Sequence, residues 1–172
     1  MNKLVWQNIV RFLLLMLFQE LVLNNVYLGG YIMPMLYVLF ILMLPTGMKR
    51  IPLLLIAFGT GLLIDIMSNM LGFHALACTV VAMMRIWFAD RILTRGEPVQ
   101  INVPSIYSVT PQYFVSYLLL MLAVFYFLFF IVELWGFRGF GDVLLATLLS
   151  TLTTALLSIL CQIVFLKRKE EV

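Results

Sequence analysis

The side chains able to do chemistry are sparse in this sequence. It holds eight Asp and Glu, one His and two Cys, and none of them gathers at catalytic spacing. His74 stands without a CxxC, HxxxH or HExxH pattern around it, so no metal set is readable and no cofactor is expected. Cys78 and Cys161 lie inside apolar stretches and read as small buried hydrophobes. Neither a Gly-rich phosphate loop nor a GxSxG elbow occurs. What remains is a handful of ionisable residues embedded in apolar runs: Arg11, Glu20, Asp65, His74 and Arg85. In a membrane such residues are costly, and they mark interhelical contacts or a path for solute or protons. A proton path needs acids across the full thickness. Here the embedded acids are Glu20 and Asp65, with Glu133 at the rim.

The elements that must position these residues are membrane helices. The chain of 172 residues is 64% hydrophobic and 11% charged, with a mean hydropathy of +1.10. Soluble domains are about half apolar and about a quarter charged, and a small globule keeps much of its surface in water. These values exclude a soluble enzyme, a disordered regulator and a nucleic-acid-binding domain. They leave an all-α integral membrane protein in the lipid bilayer. A span needs roughly 20 apolar residues, and six candidates follow in one transmembrane domain: about 11–28, 31–47, 51–70, 73–93, 113–135 and 142–166. The second is short and is expected to tilt or to borrow from its flanks. Gln19 and Glu20 stand where a signal-peptide cleavage region would fall, so an uncleaved first span is expected. The loop 94–112 carries Pro98, Pro104 and Pro111, which block a regular helix; its role is unassigned.

Ten of the eleven Lys and Arg fall on one side of this topology, and only Arg138 falls on the other. Basic residues stay cytoplasmic, so both termini are expected inside. Tyr113, Tyr117, Trp135, Trp87 and Trp6 read as interfacial aromatics.

Helical spacing puts Ala57, Gly61, Asp65 and Asn69 on one face of the third span, and His74, Cys78, Ala82 and Arg85 on one face of the fourth. We read these stripes as the seam of a hairpin, the alternative being a solute site built from Asn24, Asp65, Asn69 and His74. Asp65 is expected to bond amides of the turn and the imidazole. Thr147, Thr151, Thr154, Ser158 and Gln162, with Ser150 beside them, read as an interhelical seam of the sixth span. The fifth span, apolar all round, is expected to face lipid or a partner helix. Glu20 and Arg85 are placed at similar depths, about 13 Å and 9 Å from the cytoplasmic edge, and are expected to pair, unless Arg85 snorkels to the surface or Glu20 is protonated.

The stretch from Phe58 to Ser68, with Gly61 and Asp65, followed by Leu71-Gly72-Phe73-His74-Ala75-Leu76, resembles the signature of the MreD family of bacterial rod-shape-determining membrane proteins. Gln19 and Asn24, Pro34, and Leu44-Pro45 fit its flanks. Glu20 departs from it, standing where the family carries an apolar residue, and the fourth loop and fifth span match no motif. The resemblance implies a non-enzymatic inner-membrane scaffold of the cell-elongation machinery, which maintains rod shape during peptidoglycan synthesis. It implies an architecture similar to the substrate-binding subunit of energy-coupling-factor transporters. It further implies an MreC-like bitopic partner acting with MreB, RodA and a class B penicillin-binding transpeptidase. The runner-up reading is a vitamin-type solute-binding subunit of a transporter. Candidate motif or binding residues are Glu20, Asn24, Gly61, Asp65, Asn69, Gly72, His74 and Arg85.

The charge asymmetry predicts that a reporter fused after Lys169 is active in its cytoplasmic form and silent in its periplasmic form. Periplasmic activity of that fusion overturns the topology.

Overall fold

The computed structural model describes residues 2–25, 31–45, 47–92, 104–105, 110–133 and 139–166. Most of the 94–112 loop, together with Trp135, Arg138, Lys167, Arg168 and Lys169, lies outside the described residues. Within them the fold is all-helical: α1 (Asn2–Leu21), a short 3-10 turn (Leu23–Asn25), α2 (Val38–Leu42), α3 (Arg50–Met67), α4 (Phe73–Ile92), α5 (Pro111–Glu133) and α6 (Phe140–Leu166).

Among the described residues three helices are long and apolar enough to cross a membrane: α3, α5 and residues Phe140–Val164 of α6. The apolar part of α4, Phe73–Phe88, is shorter. The outward surface is apolar, as a lipid solvent requires. On α6, Leu148, Leu152, Leu156 and Leu160 are exposed, while Thr147, Thr151, Thr154, Ser158 and Gln162 are buried. This reverses the pattern of a soluble helix.

The layers run in the order α3, α4, α5, α6, each helix packed on the next. Close approach of α3 to α4 rests on small residues. Ala57, Ala77, Cys78, Val81 and Ala82 are fully buried. At Gly61 a Cβ would lie 2.5 Å from both the Ala75 Cα and the His74 carbonyl oxygen, so only hydrogen fits there. The hairpin turn between them places Asn69 at φ 53° and Gly72 at φ +90°. Gly takes this conformation without steric cost, and Asn tolerates it.

The fifth span has two faces. Phe114, Leu118, Met121, Leu122, Phe125, Tyr126, Phe129 and Phe130 are buried, where α5 packs against α4 and α6, while Tyr113, Leu120 and Val132 on the other side are exposed. Two expectations are corrected. Tyr117 is likewise buried and not interfacial, whereas Trp6, Trp87 and Tyr113 are exposed.

The second expected span is not a membrane-length helix. Only Val38–Leu42 is α-helical, and the chain on either side is irregular. The reason is length. Fifteen helical residues reach about 22 Å, while the 18 residues of α3 reach about 27 Å. Extended backbone covers more than twice the distance per residue, and Pro34 removes an amide that a helix would use. The segment is nonetheless the longest continuously buried stretch among the described residues: every residue from Met35 to Leu44 is 6% exposed or less.

Gly61→Ala is expected to cost about 1–3 kcal/mol, since the added methyl meets backbone that cannot move aside. Gly59→Ala is the control, as nothing lies within 4 Å of a Cβ there. Unfolding midpoints of the two variants in detergent check the difference; equal midpoints would show that the seam is not tight.

Candidate functional site

Non-helical backbone at membrane depth must find its hydrogen bonds inside the protein, and here side chains supply them. Gln19, buried at the end of α1, accepts from the Leu36 amide at 2.8 Å and donates to the Pro34 carbonyl at 3.0 Å and to Asn24 Oδ1 at 2.9 Å. Tyr126 of α5 donates to the Met33 carbonyl at 2.8 Å and accepts from the Met35 amide at 2.7 Å. Its oxygen also lies 2.5 Å from Thr154 Oγ1. Ser150 accepts from the Met33 amide at 3.1 Å and donates to the Tyr31 carbonyl at 3.2 Å. Farther along the segment, Arg85 donates from Nη2 to the Leu44 carbonyl, with the Tyr117 side chain beside its guanidinium.

The polar stripe of α6 is therefore only in part a helix-to-helix seam. Ser150 and Thr154 serve the broken segment, and Thr147 bonds its own Val143 carbonyl at 2.7 Å. Sequence reasoning missed Gln19 and Tyr126 as structural ligands of this backbone. Their signal was a polar group in each of two apolar runs; the partner 15 to 93 residues away carries no local mark.

Asp65 is 2% exposed, and its carboxylate faces the start of α4. Oδ1 accepts from the His74 amide at 3.1 Å and Oδ2 from the Ala75 amide at 2.8 Å. The first amides of a helix have no intrahelical acceptor, and a negative group at that end also meets the helix dipole favourably. Asp65 thus caps the next helix, as expected for the turn amides. The imidazole has a different partner: His74 Nδ1 lies 2.7 Å from the Tyr37 hydroxyl, and its ring stands against Phe129 with centroids 4.7 Å apart.

Glu20 and Arg85 do not pair. Helix α1 begins at Asn2, so Glu20 is in its last turn, about 27 Å along the axis. There it accepts from Asn24 Nδ2 at 3.0 Å. Arg85 lies twelve residues into α4, about 18 Å from its start. That start is beside Asp65, at the same end of the bundle as Glu20. Arg85 does not snorkel either, being 2% exposed; it serves the Leu44 carbonyl.

Of the sequence-predicted residues, Glu20, Asn24 and His74 come together at one cleft of about 320 Å³. It opens where α1, α3 and α5 end and α4 begins, and Gln19, Ser68, Phe129 and Glu133 also line it. Asp65 and Gly61 are occupied in the α3–α4 seam, Asn69 and Gly72 shape the turn, and Arg85 is remote from the cleft. Among the described residues no group of three His, Cys, Asp or Glu could hold a metal ion.

A second, apolar groove of about 460 Å³ runs between α1 and α3. Phe12, Phe40, Leu44 and Ile56 form its walls, with Gly59 and Thr60 among its lining. No protein-family profile matches the chain, and comparison with curated proteins and with solved structures returns no match.

Both Asp65 oxygens are used, so an amide at this position turns an N–H₂ toward one of the two helix amides. Asp65→Asn is expected to lose about 1–3 kcal/mol and Asp65→Leu more, since Leu leaves both amides without an acceptor. Denaturation in detergent checks this order; Asp65→Leu as stable as the wild type would remove the cap from the account of the fold.

Proposed function

We propose that the chain is a non-enzymatic membrane scaffold of the MreD type. In this reading it sits in a bacterial inner membrane with both termini cytoplasmic. It stabilises the elongation machinery by docking the single transmembrane helix of an MreC-like partner, alongside MreB, RodA and a class B transpeptidase. The observation that carries the reading is the groove between α1 and α3. Its lining is almost wholly apolar, which suits an occupant whose backbone is already self-satisfied, as a transmembrane helix is. The space over Gly59 is open, and small residues in a lipid-facing groove allow close backbone approach. Leu13, Leu17 and Phe18 on α1 and Leu62 and Leu63 on α3 are exposed and extend the apolar surface around it. Asp65 and Gln19 are engaged by the chain's own backbone, which supports a structural role for these residues of the resemblance. The polar cleft favours a second reading, a vitamin-type solute-binding subunit.

A Cβ at Gly59 meets nothing within 4 Å, so Gly59→Leu extends a side chain into the groove that Gly59 lines. It is expected to lower co-purification of the MreC-like partner about tenfold, equivalent to about 1.4 kcal/mol, with an unchanged unfolding midpoint, and to make rod-shaped host cells round. Wild-type co-purification and shape in this variant would leave the groove to lipid. Loss of uptake of a vitamin on depletion, with normal shape, would favour the transport reading.

A further inference from the structure

Methionine is the commonest residue in the lining of the cleft at the Glu20 end. Met33, Met35, Met67 and Met70 all line it. They come from two parts of the chain. Met33 and Met35 belong to the non-helical stretch before α2. Met67 ends α3, and Met70 follows in the turn, where the Asp65 carbonyl holds its amide at 2.8 Å. A methionine that fills a gap in a core is covered on all sides. Met67 is 54% exposed, and Met33 and Met70 are partly exposed, so their thioethers border an opening. Thioether sulfur is a soft donor.

His74 adds a nitrogen donor to the same cleft. It is 4% exposed and lines the cleft, and its Nδ1 lies 2.7 Å from the Tyr37 hydroxyl. That hydroxyl also reaches Met35 Sδ at 3.8 Å, a contact in which the sulfur accepts the Tyr37 proton. The imidazole then donates from Nδ1 to the Tyr37 oxygen and carries its lone pair on Nε2. Metal-binding histidines are held in this manner: the second ring nitrogen donates to a fixed acceptor, which sets the tautomer and the ring orientation. Phe129, with ring centroids 4.7 Å apart, backs the imidazole. The carboxylates of Glu20 and Glu133 have interactions of their own and are not needed for the set.

We propose that this cleft binds a soft monovalent metal ion, Cu(I), through His74 Nε2 and the thioethers of Met33, Met67 and Met70. Met35 stays with Tyr37 and supports the histidine. Thioether and imidazole together select Cu(I); Mg²⁺ and Ca²⁺ require oxygen ligands, and Zn²⁺ takes thiolate, imidazole and carboxylate but not thioether. The assignment concerns the cleft alone and rests on neither reading of the function.

The test uses the full chain in lipid nanodiscs. Cys161→Ala serves as the background, so that its partly exposed thiol takes no metal. Isothermal titration uses Ag(I), an air-stable ion of the same charge and softness, and anaerobic competition with bicinchoninate repeats the measurement with Cu(I). Saturable binding of one ion per chain is expected, undisturbed by an excess of Zn²⁺ or Mg²⁺. Met67→Leu combined with Met70→Leu nearly conserves volume and is expected to weaken Ag(I) at least about tenfold at unchanged unfolding midpoint. Met83→Leu, at an exposed methionine of α4 outside the cleft, is expected to change nothing. X-ray absorption of the Cu(I) form is expected to show sulfur and imidazole nitrogen around the metal, the nitrogen being lost in His74→Gln. If His74→Gln fails to fold, the methionine pair and the wild-type spectrum decide. Absence of saturable Ag(I) binding, undiminished affinity in the Met67 and Met70 double variant, displacement by Zn²⁺, or a spectrum without imidazole nitrogen overturns the proposal.

Discussion

The structure depends on one demand: the backbone on either side of Val38–Leu42 is irregular and, from Pro34 to Leu44, buried, so the amides and carbonyls that the short helix and its flanking turns do not pair need partners from elsewhere in the chain. An unmet polar group in such surroundings costs several kcal/mol. The demand is met by Gln19 from α1, Tyr126 from α5, Ser150 and Thr154 from α6, and Arg85 from α4. Four helices are thereby tied to one strand of chain by directional bonds. In lipid, apolar contact alone gives helices little reason to choose one neighbour over another, so these bonds fix the arrangement that packing then fills.

The α3–α4 hairpin solves a second problem with the same chemistry. Gly61 lets the start of α4 come against α3, and Asp65, one turn further on, reaches the two amides exposed there. Close approach and capping depend on each other: a larger residue at 61 would move the amides away from the carboxylate. The residues that carry the resemblance are thus explained by local geometry, and they leave the polar chemistry of the molecule to the cleft beside them. There His74 faces two ways, bonded to Tyr37 of the broken segment on one side and lining the cleft on the other. The cleft's shape is therefore coupled to the element on which the bundle is organised. The apolar groove between α1 and α3 lies on the outer surface and is lined by different residues.

Much of this was legible in the sequence because it is local. Hydropathy and length identified α3, α5 and α6 as membrane-length helices, and four-residue spacing placed Ala57, Gly61 and Asp65 on the face that meets α4. The short Ser68–Gly72 turn implied that Asp65 would find the amides that open the next helix. These features depend on residues within about one turn of each other or across a tight hairpin, where helical rise and periodicity suffice.

Tertiary structure alone decided the rest. That residues 31–45 run partly extended depended on the depth of the surrounding bundle and on distant side chains ready to bond their backbone. Which face of α5 is buried depended on where α4 and α6 pack against it; its sequence is apolar on every side and carries no such mark. Glu20 and Arg85 had matching depths only while α1 was counted from Arg11; a helix beginning at Asn2 carries Glu20 to the cleft end and leaves Arg85 to the Leu44 carbonyl. In each case hydrogen-bond demand and burial are properties of surroundings assembled from distant parts of the chain, and no periodicity along the chain encodes them.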